Sequence, residues 1–276
     1  MIINLLNYIT WNVNPVVIEL LGREIRWYGI LFALGFVVGH FIMTKIFEIE
    51  KIDIKNLDAL TYYMIFSTVI GARLGHCFFY EPDYYLANPS EIIAIWKGGL
   101  ASHGAAIGIL FALWLYSRSR PEQPFLWIVD RIVITVAFAG VCIRLGNLMN
   151  HEIIGKPTDL PWAFVFTLVD QQPRHPSQLY EAICYAFIFI FLYRLYFHKY
   201  TTQTPQGLLL GWFLVLIFGV RILVEFLKED QVANEQDLVL IPGLNMGQNL
   251  SIPFVLFGIY LIYNAIKNYQ PKSSMD

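Results

Sequence analysis

Ala139-Gly-Val-Cys-Ile-Arg144-Leu-Gly146-Asn147-Leu-Met-Asn150-His151-Glu152-Ile-Ile-Gly155 decides how this chain is read. A long apolar run ends in an arginine, then a glycine, then two asparagines three residues apart. No acidic residue follows Arg144 before Glu152. A guanidinium entering an apolar segment is costly and marks a functional site whose partner must be found. The apolar run before it is one of several, and their number sets the fold class.

Of 276 residues, 57% are hydrophobic and 14% are charged. Soluble domains carry about 25% charged residues. The deficit is concentrated in long apolar runs, which predicts a polytopic membrane protein. A bilayer-crossing helix needs about 20 apolar residues at ~1.5 Å each. Seven stretches qualify: 27–45, 60–80, 98–116, 127–148, 179–197, 207–227 and 252–267. The predicted fold is all-α, a single integral domain over residues 1–276, without a clear repeat or a cleavable leader. Formal net charge is -2, which gives no nucleic-acid signal. Cys77, Cys142 and Cys184 fall inside apolar runs without metal or redox spacing and read as small buried hydrophobes.

Lys and Arg in the short connections set orientation. Segments 45–59, 117–126, 194–206 and 266–276 hold nine in 49 residues. Segments 1–26, 81–97, 149–178 and 228–250 hold six in 96 residues. The denser side is expected in the cytoplasm, with the N-terminus outside, the C-terminus inside and a small cap on the outer face.

That topology sorts the polar residues. Tyr28 opens the first span at its outer end, and His103 lies near the outer end of the third. Arg144, Asn147 and Asn150 sit where the fourth leaves. His175, Gln178 and Glu181 stand where the fifth enters. Arg221 and Glu225 lie near the exit of the sixth, and Gln248 and Asn249 just before the seventh. Arg73 lies deeper and is a further candidate. Polar groups from separate spans are therefore expected at one depth, in the outer leaflet.

Arg144 and Arg221 are suited to bidentate contact with phosphate oxygens, so the expected partner of Arg144 is a phospholipid phosphate. Arg221 and Glu225 are four apart on one helix face and are expected to pair. His103 precedes Gly104 and Gly108, a small-residue face that allows close approach, and imidazole is suited to accepting a proton. Pro176 suits a helix start, with Ser177 or Gln178 expected to cap the first turn. His40 reads as structural, and Asp130 and Arg131 as interface charges. A transporter with an anion site and a lipid-binding scaffold without chemistry are the competing readings. Crowding at one leaflet and the lack of a repeat disfavour a transporter.

The motifs Gly98-Gly-Leu-x-x-His103-Gly-x-x-x-Gly108, Arg144-x-Gly146-Asn147-x-x-Asn150 and Glu152-x-x-Gly155-x-Pro come in one order. Pro161-Trp-x-x-x-Phe166, Arg174-His-Pro-Ser-Gln-Leu-Tyr-Glu181, Arg221-x-x-x-Glu225-Phe and Met246-Gly-Gln248 follow. Together they resemble the prolipoprotein diacylglyceryl transferases of bacteria over nearly the whole chain. Two mild departures are Ala105, where that family usually has glycine, and Leu148, where it usually has phenylalanine. The resemblance implies a multi-pass enzyme of the bacterial inner membrane whose active site faces the outer leaflet. It implies transfer of the diacylglyceryl group of phosphatidylglycerol to the lipobox cysteine of a prolipoprotein, with release of glycerol 1-phosphate. No metal or cofactor is implied, no nucleic acid, and a monomer is expected. His103 is then the candidate base, Arg144 the phosphate clamp, and Arg221, fixed by Glu225, a second cation. Asn147 and Asn150 would hold headgroup oxygens, with Tyr28, Glu152, Gly155 and Gln178 completing the lipid site. A route using the arginines without an imidazole base is the alternative.

Overall fold

A computed structural model describes residues 8–229, 241 and 243–270. Much of the 228–250 connection, and Lys272, lie outside the described residues. The long elements are helices. In order they are α1 (Trp27–Ile49), α2 (Ile54–Phe79), the short α3 (Pro82–Ala87), α4 (Ser102–Arg118), α5 (Phe125–Met149), α6 (Ser177–Arg194), α7 (Leu208–Glu225) and α8 (Met246–Lys267). Such helices satisfy every backbone group internally, as an apolar solvent requires.

Five segments are long and apolar enough to cross a membrane: Trp27–Ile49, Phe125–Met149, Ser177–Gln203, Leu208–Glu225 and Met246–Lys267. The two other expected spans fall on α2 and α4. The first is long but less apolar, and α4 has only 17 helical residues. The predicted span at 98–116 starts too early because Gly98 and Gly99 have φ of 87° and 70°, outside the helical region. The last helix instead starts six residues before the expected 252. Asn245 and Gln248 form a capping box there, and Pro253 is carried inside the helix.

The all-α expectation needs one correction. Five short strands accompany the helices, three before α1 and two between α5 and α6: β1 (Ile9–Trp11), β2 (Val16–Leu20), β3 (Arg23–Arg26), β4 (Phe164–Phe166) and β5 (Pro173–Arg174). β2 and β3 form an antiparallel hairpin. β4 pairs parallel with β1 and antiparallel with β5. Polar connections cannot remain open backbone when packed, so they pair in this small cap. Its apolar centre is Leu148, Phe164 and Phe166, against Trp11, Ile154 and Leu179. Trp11 Nε1 donates to the Leu148 carbonyl at 3.0 Å, tying the cap to the end of α5.

The chain divides into two compact units, residues 40–131 and residues 1–39 with 132–276. In the first, α2 and α4 touch backbone to backbone. A Cβ on Gly108 would stand 2.7 Å from the Ser67 carbonyl, and one on Gly71 would stand 3.1 Å from Gly108 Cα. Asp130 and Arg131 are buried, and Arg131 meets Glu50 at 2.8 Å, so they are interior rather than interface charges. His40 bonds Thr61 through Nδ1 at 3.1 Å, the structural role expected of it. In the second unit, α6 packs on α7 and α7 on α8.

Candidate active site

The second unit collects most of the expected site at the end of α5. Arg144 sits one turn before that end. Its Nη1 donates to Asn147 Oδ1 at 3.2 Å. Asn147 passes the contact on, its Nδ2 donating to Glu152 Oε1 at 2.8 Å. Asn150 Nδ2 reaches the same oxygen at 3.3 Å. The spacing of three explains this, since Asn147 and Asn150 share a helix face that the turn after α5 brings back over Glu152. Tyr28 lies against Gly146, where a Cβ would stand 2.8 Å from its ring. Its hydroxyl is within electrostatic reach of Glu152 and Arg144.

Gln178 and Glu181 are both fully buried. The helix-capping expectation for the start of α6 fails. No side chain caps it. Ser177 Oγ instead donates to the Ile153 carbonyl at 2.7 Å, and Gln178 Nε2 to the Glu152 carbonyl at 2.6 Å. The turn after α5 exposes those carbonyls, so the side chains satisfy them rather than their own amides. These bonds lock α6 to the Glu152 turn.

Glu181 joins this face to a second layer of charge. Its Oε2 lies 3.0 Å from Arg144 Nε. That oxygen nevertheless receives no aligned hydrogen bond, so the contact is an ion pair only. Its Oε1 accepts from Lys228 Nζ at 3.1 Å, and Lys228 also donates to Glu225 Oε2 at 3.0 Å. Arg144, Glu181, Lys228 and Glu225 thus alternate in sign, two positive and two negative, in a setting where a lone charge is untenable. Glu225 abuts Gly247 at the start of α8, where a Cβ would stand 2.8 Å from its Oε1. A helix N-terminus favours that carboxylate. Gln248 Nε2 donates to the Ile222 carbonyl at 3.0 Å and keeps α8 beside α7.

The expected Arg221–Glu225 pair is not formed. Lys228, three residues after Glu225, takes that carboxylate because its flexible amine reaches Glu181 as well. Among the described residues Arg221 makes no ion pair, and with Arg144 it lies within electrostatic reach of the Tyr185 hydroxyl. Lys228 is the residue that sequence reasoning missed. It reads as one more loop cation, and only its i,i+3 relation to Glu225 pointed to it. Gly155 is a packing position. A Cβ there would stand 2.8 Å from the Leu227 carbonyl, and its N–H donates to the His175 carbonyl at 3.0 Å.

His103 and Arg73 belong to the other unit. His103 is exposed at the start of α4, with Phe79 edge-on at 6.0 Å and Tyr80 at 5.5 Å between ring centroids. Gly104 beside it is in backbone contact with α2. Arg73 is fully used elsewhere. It donates to the carbonyls of Ile92 at 2.9 Å, Glu91 at 2.7 Å, Gly98 at 2.5 Å and Gly99 at 3.2 Å. It therefore holds the loop before α4 and is withdrawn as a ligand candidate.

Just outside α6, burial lowers the His175 pKa below its ordinary 6.5. Trp162 Nε1 donates to the Tyr180 hydroxyl at 2.9 Å, which leaves that hydroxyl free to donate to His175 Nδ1 at 3.3 Å. Both effects favour neutral imidazole. The folded state then binds fewer protons than the unfolded state, so stability falls as pH drops below about 6.5 toward the folded value. Thermal midpoints of the wild type should decline between pH 7 and 5, and His175→Gln should flatten that decline. Equal slopes for the two would remove His175 as its source.

Residues 15–264 match the family model described as prolipoprotein diacylglyceryl transferase. A relative from Chloroherpeton thalassium, named phosphatidylglycerol--prolipoprotein diacylglyceryl transferase, is 53% identical over 264 residues, covering 96% of this chain and 97% of its own. Relatives of the same name from Porphyromonas gingivalis and Tolumonas auensis are 46% and 47% identical, covering 95% and 93% of this chain and 96% and 97% of theirs. The motifs that carry the resemblance, the buried charges at the end of α5 and this match over almost the whole length agree: the chain belongs to the prolipoprotein diacylglyceryl transferase family.

Proposed function

We propose that this protein moves the diacylglyceryl group of phosphatidylglycerol onto a cysteine thiol in the lipobox of a prolipoprotein. The observation that carries the reading is Arg144, buried in an apolar helix yet held by Asn147 and Glu181 with N–H groups still unspent. The sulfur, as thiolate, attacks the glycerol carbon that bears the phosphate. The S–C bond forms, the C–O bond breaks, and the pair of electrons leaves on glycerol 1-phosphate. A free thiol with a pKa of about 8.5 is mostly protonated, so the step needs a base. His103 is the proposed acceptor of that proton. Arg144 and the unpaired Arg221 stabilise the charge that develops on the departing phosphate. Tyr28, Asn147, Asn150, Glu152 and Gln178 position the headgroup, and Gly155 holds the turn that carries Glu152. Glu225 acts through Lys228 and Glu181 on Arg144 rather than through Arg221.

The accompanying arrangement is a single multi-pass domain with seven spans, α2 and α4 included, in the bacterial inner membrane. The N-terminus is outside, the C-terminus is cytoplasmic, and the site opens to the outer leaflet. The protein acts as a monomer. The density of Lys and Arg in its short connections supports this orientation.

Purified protein in detergent, given phosphatidylglycerol and a lipobox peptide, should yield a thioether-linked peptide and an equal amount of glycerol phosphate. Binding of the lipid without either product would leave only a lipid-binding scaffold.

A further inference from the structure

The β2–β3 hairpin is left bare by the rest of the described chain. Of its strand residues only Val16 is partly covered, and the others are exposed on both faces. A lone two-stranded hairpin is marginal in water, so this one calls for a cover from outside the chain. The pairing register sorts its side chains. Ile18 stands opposite Ile25 and Leu20 opposite Arg23, on one face. Glu19 stands opposite Glu24 on the other. Like charges placed directly across a pair are tolerable where water screens them. One face therefore wants an apolar cover and the other wants solvent.

The tip points the same way. Leu21 and Gly22 make a two-residue turn with φ of 52° and 72°. Asparagine, aspartate or glycine is favoured at the first position of such a turn, and a leucine is strained there. Leu21 is nevertheless 95% exposed, so no contact within the chain repays that strain.

The attachment of the hairpin names the cover. β3 ends at Arg26, and α1, a helix of bilayer-crossing length, begins at Trp27. The Trp27 N–H donates to the Pro15 carbonyl at 3.0 Å, which closes the base of the hairpin directly on α1. No linker lifts the hairpin away from the membrane surface. Nor can it sink into hydrocarbon, where its open strand edges would lose their hydrogen bonds. In the headgroup layer the edges stay wet while an apolar face is buried. Arg23, beside Leu20, can there extend its guanidinium to lipid phosphates.

We infer that the β2–β3 hairpin lies in the headgroup layer of the leaflet that α1 enters, with Ile18, Leu20, Leu21 and Ile25 toward the acyl chains and Glu19 and Glu24 toward water. It anchors the end of α1 at a fixed depth, one residue before Tyr28 meets Gly146. The inference uses only the crossing of a bilayer by α1 and stands apart from the transferase reading.

The test places the full-length protein in nanodiscs of phosphatidylcholine and phosphatidylglycerol. Cys184, the native thiol that is not fully buried, is first replaced by alanine. A nitrobenzoxadiazole fluorophore is then attached to Leu21→Cys or to Glu19→Cys. At position 21 its emission should shift to the blue and be quenched by lipids spin-labelled high on the acyl chain. At position 19 it should be quenched by aqueous iodide. The ratio of lipid to iodide quenching should be severalfold higher at 21. Equal ratios overturn the inference. Shielding at 21 that needs an added lipobox peptide makes the hairpin a peptide surface and overturns it. Shielding that persists in detergent, in a particle of doubled protein mass, assigns the cover to a second copy and overturns it too. Leu21→Asn suits the turn and should leave the thermal midpoint unchanged, yet it should weaken lipid quenching of a fluorophore on Ile18→Cys. Undiminished quenching there would overturn the role of the tip as an anchor.

Discussion

Replacing Arg144 by alanine should lower kcat/KM for lipidation of the peptide by roughly two to three orders of magnitude, the usual effect of removing one preorganised donor to a developing anion. The protein should nevertheless fold. Glu181 would keep Lys228 at 3.1 Å, so its buried carboxylate would not be stranded. Arg144→Lys restores charge but not the planar fork, and Lys is the more strongly hydrated cation. That variant should recover only part of the rate. The measurement is kcat/KM from thioether formation, with a thermal midpoint on the same preparation. An alanine variant with an unchanged rate would remove Arg144 from the site. A variant that aggregates or melts far below wild type would instead make Arg144 chiefly a structural counter-ion to Glu181.

Lys228→Met should be the most destabilising single change at the site. Lys228 is 4% exposed and stands between two carboxylates that are themselves almost wholly buried. Without it, one guanidinium faces two anions, and Glu225 loses its one ion-pair partner among the described residues. Breaking a buried pair by removing one member costs about 3–5 kcal/mol, because the remaining charge has neither water nor a counter-charge. In thermal unfolding that is a drop on the order of 10 °C. The double variant Lys228→Met with Glu225→Gln removes one charge of each sign. It should recover most of the loss, since Glu181 retains Arg144. Thermal midpoints in one detergent, for both single variants and the double, give the coupling. Additive losses would show that Lys228 and Glu225 do not act as a pair.

Both predictions concern residues of unequal legibility. Arg144, Asn147, Asn150 and Glu152 could be read in advance because they are close in sequence. Helical spacing of three, followed by one turn, is enough to predict that they converge. Gln178 and Glu181 were readable as a pair on one face, but not in what they bind. Their partners, the Glu152 carbonyl for Gln178 and Arg144 and Lys228 for Glu181, come from other parts of the chain. The Arg221–Glu225 pair illustrates the opposite case. The i,i+4 rule is sound for an exposed helix, yet here a third residue outcompetes it.

Composition and the apolar runs were sufficient for a helical membrane protein, because burial of backbone in an apolar solvent leaves few alternatives to helices. The ends of those helices were less predictable. Gly98 and Gly99 delay α4, and the capping box advances α8, both local effects weaker than hydrophobicity but decisive at a boundary. The strands of the small cap were not foreseen, because a three-residue strand has no periodicity to detect. The cap exists only once Trp11, Phe164 and Phe166 meet. Local spacing, then, was enough to bring Arg144, Asn147, Asn150 and Glu152 together at the end of α5. The alternating order of Arg144, Glu181, Lys228 and Glu225 needed three separate helices to be packed first, since ion pairing between distant segments is a property of position and leaves no pattern in the order of residues.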